Sequence, residues 1–330
     1  MRERLSADAN FPDDHSGNMM QALASSSGLN GSGRAAMIVC DGFISLADDW
    51  IARATSANAV SWFRETLDRV RQQPRGDALA VAIGLAPRRL GKADLALTTD
   101  DRARASALRP NLDPTEWSVD QTARIAFMAA SYAGDDAAFA ASFDGFCATA
   151  GLNELIALCR GLPVYPAAAL LEPRAREAVR SGMKPVFEAV AHRNPYAVEC
   201  FGEDAWNQMV VKAFFIGSQL WPIQQLDRRG NPRLARMLVD LAMERWAAGR
   251  PVSAEVWRCV APHADAEGIM ALVRAFEIGS DKERLAVALA LQQAEPQQID
   301  TMFERPALRQ QVRDMQARLA AEELGWEALA

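Results

Sequence analysis

Apolar residues recur at spacings of three and four through most of this chain, and glycine or proline stands where each run stops. That periodicity suits a helix with one buried face and does not suit a strand, whose faces alternate every second residue. Long alternating β-branched stretches are absent and alanine is abundant, which favours helices further. The fold class expected is therefore all-α: an irregular α-α superhelix of HEAT- or armadillo-like helical pairs, behind a disordered N-terminal leader. With 330 residues, half of them hydrophobic, the chain can bury a large core.

The expected boundaries follow from composition. Residues 1–40 hold the polar run Ser25-Ser26-Ser27 and the glycines after it, and read as leader. Those glycines lack the strand and the Lys-Ser/Thr of a phosphate loop. Residues 41–330 read as a single all-helical domain, with a solenoid-like C-terminal part over 252–330. Met37 to Ala54 reads as the first helix, and Asn58 as the cap of the second. A further helix is expected to stop at Leu85, ahead of Pro87, and Gly161 to Pro166 reads as extended because residues before proline avoid the helical region.

Charge removes several function classes. The 36 basic and 42 acidic residues give a net charge of −6 without a basic tract. Nucleic acid is therefore not an expected partner. Five cysteines, odd in number and with no CxxC pair, read as core residues in a reducing compartment. No apolar run reaches the roughly 20 residues that span a bilayer. A cytoplasmic protein with no transmembrane segment, no metal and no cofactor is expected.

Candidate functional residues concentrate between Asn194 and Arg258, which holds four of the eight tryptophans. A helix over Glu203 to Ser218 is apolar nearly all round, as a central buried helix would be. Asn207, Gln208 and Lys212 are then hard to place in water. Lys212 either pairs inside the protein or snorkels along Ile216 to an edge. In the next helix, Arg233 to Ala248, Arg245 falls within the apolar stripe of Leu234, Leu238 and Leu241, so it needs an internal partner; Asp227 and Glu199 are the candidates. A buried ion pair that fixes how two helices dock explains such residues as well as a ligand does. Glu188 and His192, four apart, form only half of a metal site, and a helix-end hydrogen bond is the simpler reading.

Several separated segments resemble the EboA family of metabolite traffic proteins: PRRLGKADLAL from Pro87, WSVDQTARI from Trp117, RGLPVYP from Arg160 and VFEAVAHRNPY from Val186. AWNQMVVKAFFIGS from Ala205, LDRRGNPRLARML from Leu226, ERWAAGRPVSAEVWR from Glu244 and the closing LGWEALA continue it, so that it covers most of Val60 to Ala330. The resemblance implies a helical cytoplasmic protein encoded beside a UbiA-like prenyltransferase and several hydrolase- or isomerase-like enzymes. Such a gene group moves or processes secondary-metabolite precursors toward the periplasm. It transfers no catalytic residue.

Two functions from different classes are expected. One is a non-enzymatic protein that binds or escorts a metabolite. Its polar groups would be Asn207, Gln208, Lys212, Asp227, Arg228, Arg245 and His192, and its walls Trp206, Trp246 and Tyr165. The other is a helical scaffold for enzymes of the same gene group, the membrane prenyltransferase included. An enzyme is less favoured: its one route is a buried Lys212 acting as base or Schiff-base nucleophile.

Overall fold

The computed structural model describes residues 31–74, 76–292, 294 and 296–330. Among these residues there are seventeen α-helices and no strand, only two isolated antiparallel bridges, Asp94 with Ser118 and His192 with Ile223. The expected leader lies outside the described residues up to residue 30. From 31 to 40 it is corrected, because the first helix, α1, already runs Gly31–Ala54.

The molecule is built around a helix other than the one the sequence singled out. α5 (Val119–Ala130) has every residue but Gln121 buried. It packs against α1, α2 (Ala57–Gln72), α3 (Asp77–Leu90) and α7 (Leu152–Arg160). Small residues at Ala123, Ala126, Ala129 and Ala130 let these neighbours approach from all sides, while Phe127 meets Phe63 and Trp62. The expected central helix is α11 (Glu203–Phe215), and it buries only one face, with Gln208 and Phe215 exposed. Eight of its thirteen residues are apolar by type, but one of them, Phe215, stands exposed at the edge of a groove rather than in the core.

α5 also carries the buried ion pair that was sought elsewhere. Arg124 Nη1 lies 2.7 Å from Asp120 Oδ2, both side chains at most 5% exposed. Ser118 Oγ donates to the other carboxylate oxygen at 2.7 Å. Arg124 Nε donates to the carbonyl of Ile83 at 3.0 Å. That carbonyl is free because Pro87, four residues on, has no N–H to offer it. Helix α3 was expected to stop before Pro87; it continues to Leu90, since an arginine from the neighbouring helix takes the bond the proline cannot make.

Other local differences have equally local causes. Ser56, not Asn58, caps α2 by accepting from Ala59 N. Gly161 to Pro166 holds a 3₁₀ turn over Leu162–Val164, with Tyr165 extended after it. A Cβ on Gly161 would lie 2.2 Å from Tyr165 Oη, so this turn closes only on a glycine. α4 (Thr99–Leu108) is tied to α1 through Asp101. Its buried carboxylate accepts from Trp50 Nε1 at 3.1 Å and Arg53 Nη2 at 2.6 Å, and from the Thr98 amide and hydroxyl.

Beyond α5 the chain continues through α6 (Asp136–Thr149), α8 (Ala168–Arg180), α9 (Lys184–Ala191), α10 (Tyr196–Cys200), α11 and α12 (Pro232–Ala247). It then runs on in α13 (Val256–Val260), α14 (Ala266–Ile278), α15 (Asp281–Ala290), α16 (Pro296–Met302) and α17 (Pro306–Ala321). Buried hydrophobic residues form one continuous cluster from Cys40 to Leu329. No described helix is long and apolar enough to cross a membrane.

Candidate functional site

The residues singled out in the sequence do not converge on one site. Asn207 is buried and exchanges amide hydrogen bonds with Asn231, at 2.9 and 3.2 Å, while Asn231 caps α12. Trp206 is buried beneath Arg229, whose guanidinium lies 4.6 Å from its ring and donates to the carbonyls of Ala197, Val198 and Phe201. Arg229 thus closes the C-terminal end of α10. Arg245 pairs with neither expected partner, because its Nε reaches the Pro251 carbonyl at 2.7 Å. Asp227 instead takes a two-pronged bond from Arg258, and Glu199 one from Arg109. Arg228 is exposed and donates to Gln225. Trp246 stacks on Trp257 and under Arg274. Tyr165 is buried between Phe139 and Phe143, its hydroxyl without a hydrogen-bond partner among the described residues. Gln208 and Lys212 border an open groove, and Lys212 is half-buried there, at a helix edge.

Only His192 faces the cavity in which polar groups converge. This cavity, of about 160 Å³, lies where α5, α7 and α9 meet the loop before α5. Three of the segments quoted for the family resemblance wall it, those beginning at Trp117, Arg160 and Val186.

Arg160, the last residue of α7, donates through Nη1 to the Glu116 carbonyl at 2.7 Å and to Gln121 Oε1. Its Nη2 is held only at 3.8 Å from the Glu116 carboxylate. Burial lowers the pKa of this guanidinium, against the attraction of Glu116 and Glu188. Arg193 has a left-handed backbone, with φ of 50°, which turns the chain out of α9. Its side chain donates to Glu116 at 3.0 Å and Asp113 at 2.9 Å and lies over Trp221. Burial alone would raise the Asp113 carboxyl; hydrogen bonds from Thr115 and Arg193 bring it below the ordinary value instead.

On the opposite wall, Ser218 Oγ donates to Glu188 Oε1 at 2.9 Å and lies 3.1 Å from His192 Nε2, which is also 2.9 Å from the Gln219 carbonyl. A carbonyl can only accept, so the ring nitrogen facing it carries the proton. The acid therefore engages the serine and not the imidazole. This is not the relay that activates a nucleophile, in which the acid orients the histidine and the histidine accepts from the serine. Lys184 flanks Glu188 at 3.6 Å. Among the described residues no group of three or more His, Cys, Asp or Glu could hold a metal ion.

Burial lowers the His192 pKa, and the Glu188 charge only partly offsets it. The native state thus binds fewer protons here than the unfolded chain. The stabilisation is present above the ordinary imidazole value of 6.5 and is lost as pH falls through the folded value. An NMR titration of the His192 ring protons is expected to give a midpoint below 6.5. A midpoint above it would mean that Glu188, not burial, governs the ring.

Glu255 holds this wall in place. Its buried carboxylate accepts from the backbone amides of Leu220 at 2.9 Å and Trp221 at 2.5 Å. Burial still raises its pKa, the two amides opposing.

Asp113, Glu116, Arg160, Arg193 and Ser218 were not singled out in the sequence. The available signal was an arginine ending a helix ahead of Gly161 and another just before Asn194-Pro195, places where charged side chains meet exposed helix termini.

Searches of curated proteins and of solved structures return no match. The sequence model of one family, described as Metabolite traffic protein EboA, matches residues 43–261. The match begins ahead of the Val60 start expected from the sequence and does not include the closing LGWEALA. It takes in the whole cavity and about two thirds of the chain, and on that extent the chain belongs to the EboA family.

Proposed function

We propose that this is a non-enzymatic metabolite traffic protein that binds or escorts a secondary-metabolite precursor, with the Arg160–His192 cavity as its binding site. The observation that carries this reading is the convergence of half-buried groups of both signs on one small cavity within the family-matched region. At about 160 Å³ the space is close to the engineered cavity of about 150 Å³ that accepts benzene. It suits one ring, or the polar end of a larger molecule, and the unspent donors of Arg160 opposite Glu188 suit a hydroxylated or carboxylated one. The enzymatic alternative through a buried Lys212 loses its premise, because that lysine is not buried.

In this reading the partners are the metabolite and other proteins of the same gene group, the membrane prenyltransferase included, and the protein works in the cytoplasm. Residues 41–330 act as one helical domain, with the part from 252 as an irregular superhelix, a view supported by the packing of α14 on α15 and of α15 on α17.

Native mass spectrometry of protein purified gently from its host tests the reading. A discrete adduct is expected, released on mild activation and lost in Arg160→Met. A clean apo mass with a co-purifying protein would favour the scaffold instead. One observation supports that second reading: Met270 and Ile278 on α14 are 64% and 63% exposed.

A further inference from the structure

A second hollow, separate from the cavity above, runs between α8 and α11 and measures about 430 Å³. Its floor is apolar: Val179, Ala205 and Met209 are buried, and Val211 and Met237 partly so. Phe215 stands at its edge with 64% of its surface exposed. Three cations border it, Arg176, Arg180 and Lys212, and no carboxylate does. In a chain of net charge −6 that is a local reversal of sign.

The charges are also uncommitted. Arg180 and Lys212 have no ion-pair or hydrogen-bond partner among the described residues, and Arg176 has only a loose contact with Glu172 at 3.8 Å. The acids of α11, Glu203 and Asp204, lie in its first turn, where Asp204 pairs with Arg233. They do not neutralise the groove.

We infer that this groove binds a single-chain amphiphile with an anionic head, a carboxylate or a phosphate, whose hydrocarbon lies on Val179, Met209 and Phe215. The size supports a small molecule: the hollow falls within the range of ligand pockets, whereas a stable protein partner covers about 800 Å² on each side. Charge complementarity supports the head, because two unpaired cations beside apolar walls attract an anion more strongly than they would in open water. The inference does not depend on the cavity at Arg160 and would survive its failure.

The test is calorimetric titration of the full chain with dodecanoate below its micelle-forming concentration, beside acetate and dodecyltrimethylammonium. Saturable binding of one dodecanoate per chain is expected, with no binding of acetate and much weaker binding of the cation. Arg180→Gln with Lys212→Gln should weaken dodecanoate at least about tenfold, the loss of one charge-assisted hydrogen bond. Phe215→Ser should weaken it through the chain alone. These side chains are solvent-accessible, so the variants are expected to fold, and an unchanged circular dichroism spectrum checks that they do. Absence of saturable binding, equal affinity for the cationic amphiphile, or unchanged affinity in the double variant would each overturn the inference.

Discussion

Arg124→Met is expected to destabilise the protein by about 3–5 kcal/mol, the cost of leaving a buried carboxylate without its partner. Asp120 has nowhere to turn, since it is only 3% exposed and its remaining contact is the Ser118 hydroxyl. The substitution also leaves the Ile83 carbonyl unbonded, because Pro87 supplies no amide. Urea unfolding with an unchanged slope and a lowered midpoint measures the loss. Asp120→Leu combined with Arg124→Met should recover more than half of it, because a paired charge replaced by apolar volume removes the stranded group. A single-variant loss below about 1 kcal/mol, the ordinary value of a surface pair, would show that water reaches the pair.

Asp101→Ala is expected to cost about 2–4 kcal/mol, combining the loss of an N-cap partner with the stranding of the Trp50 indole N–H. The figure is below that for Arg124 because Arg53 is 49% exposed and regains water when released. The effect carries a pH signature. Burial acts to raise this carboxyl, but hydrogen bonds from Arg53 and Thr98 outweigh it and hold the group well below the usual carboxylate range. The folded state therefore binds fewer protons than the unfolded one. The stabilisation is full above the ordinary value of 3.8 and disappears as pH falls through the folded value. The difference in urea midpoint between wild type and Asp101→Ala should shrink on acidification. A gap that stays constant would mean that the residue acts through packing and not through its charge.

Helical period was legible in the sequence because each helix needs only its own apolar face. Which helix sits at the centre was not. α11 carries the larger tryptophan and phenylalanine side chains, yet α5 is enclosed, because its alanines allow close approach and its two charges neutralise each other at i and i+4. A charged pair inside one helix looks like an ordinary surface pair until the neighbours are known. The same blindness affected the polar residues. Arg245 lies on the apolar stripe but is near the end of α12, where the chain turns and offers it the Pro251 carbonyl. The cavity's arginines come from segments separated by tens of residues, and their meeting depends on tertiary packing that no local period encodes. His192 was identified from its spacing to Glu188. What joins the two is Ser218, which approaches from beyond α11.

The carboxylate of Glu255 gives the cavity a dependence on distant chain. Ser218 and Gln219, which hold His192, stand just ahead of the two amides that Glu255 grips from 35 and 34 residues further on. Loosening α13 is therefore expected to release the far wall of the cavity together with it, the two regions opening as one cooperative unit. Whatever occupies the cavity would stabilise α13 without touching it, and a partner that docks on the C-terminal helices could set how long the occupant stays.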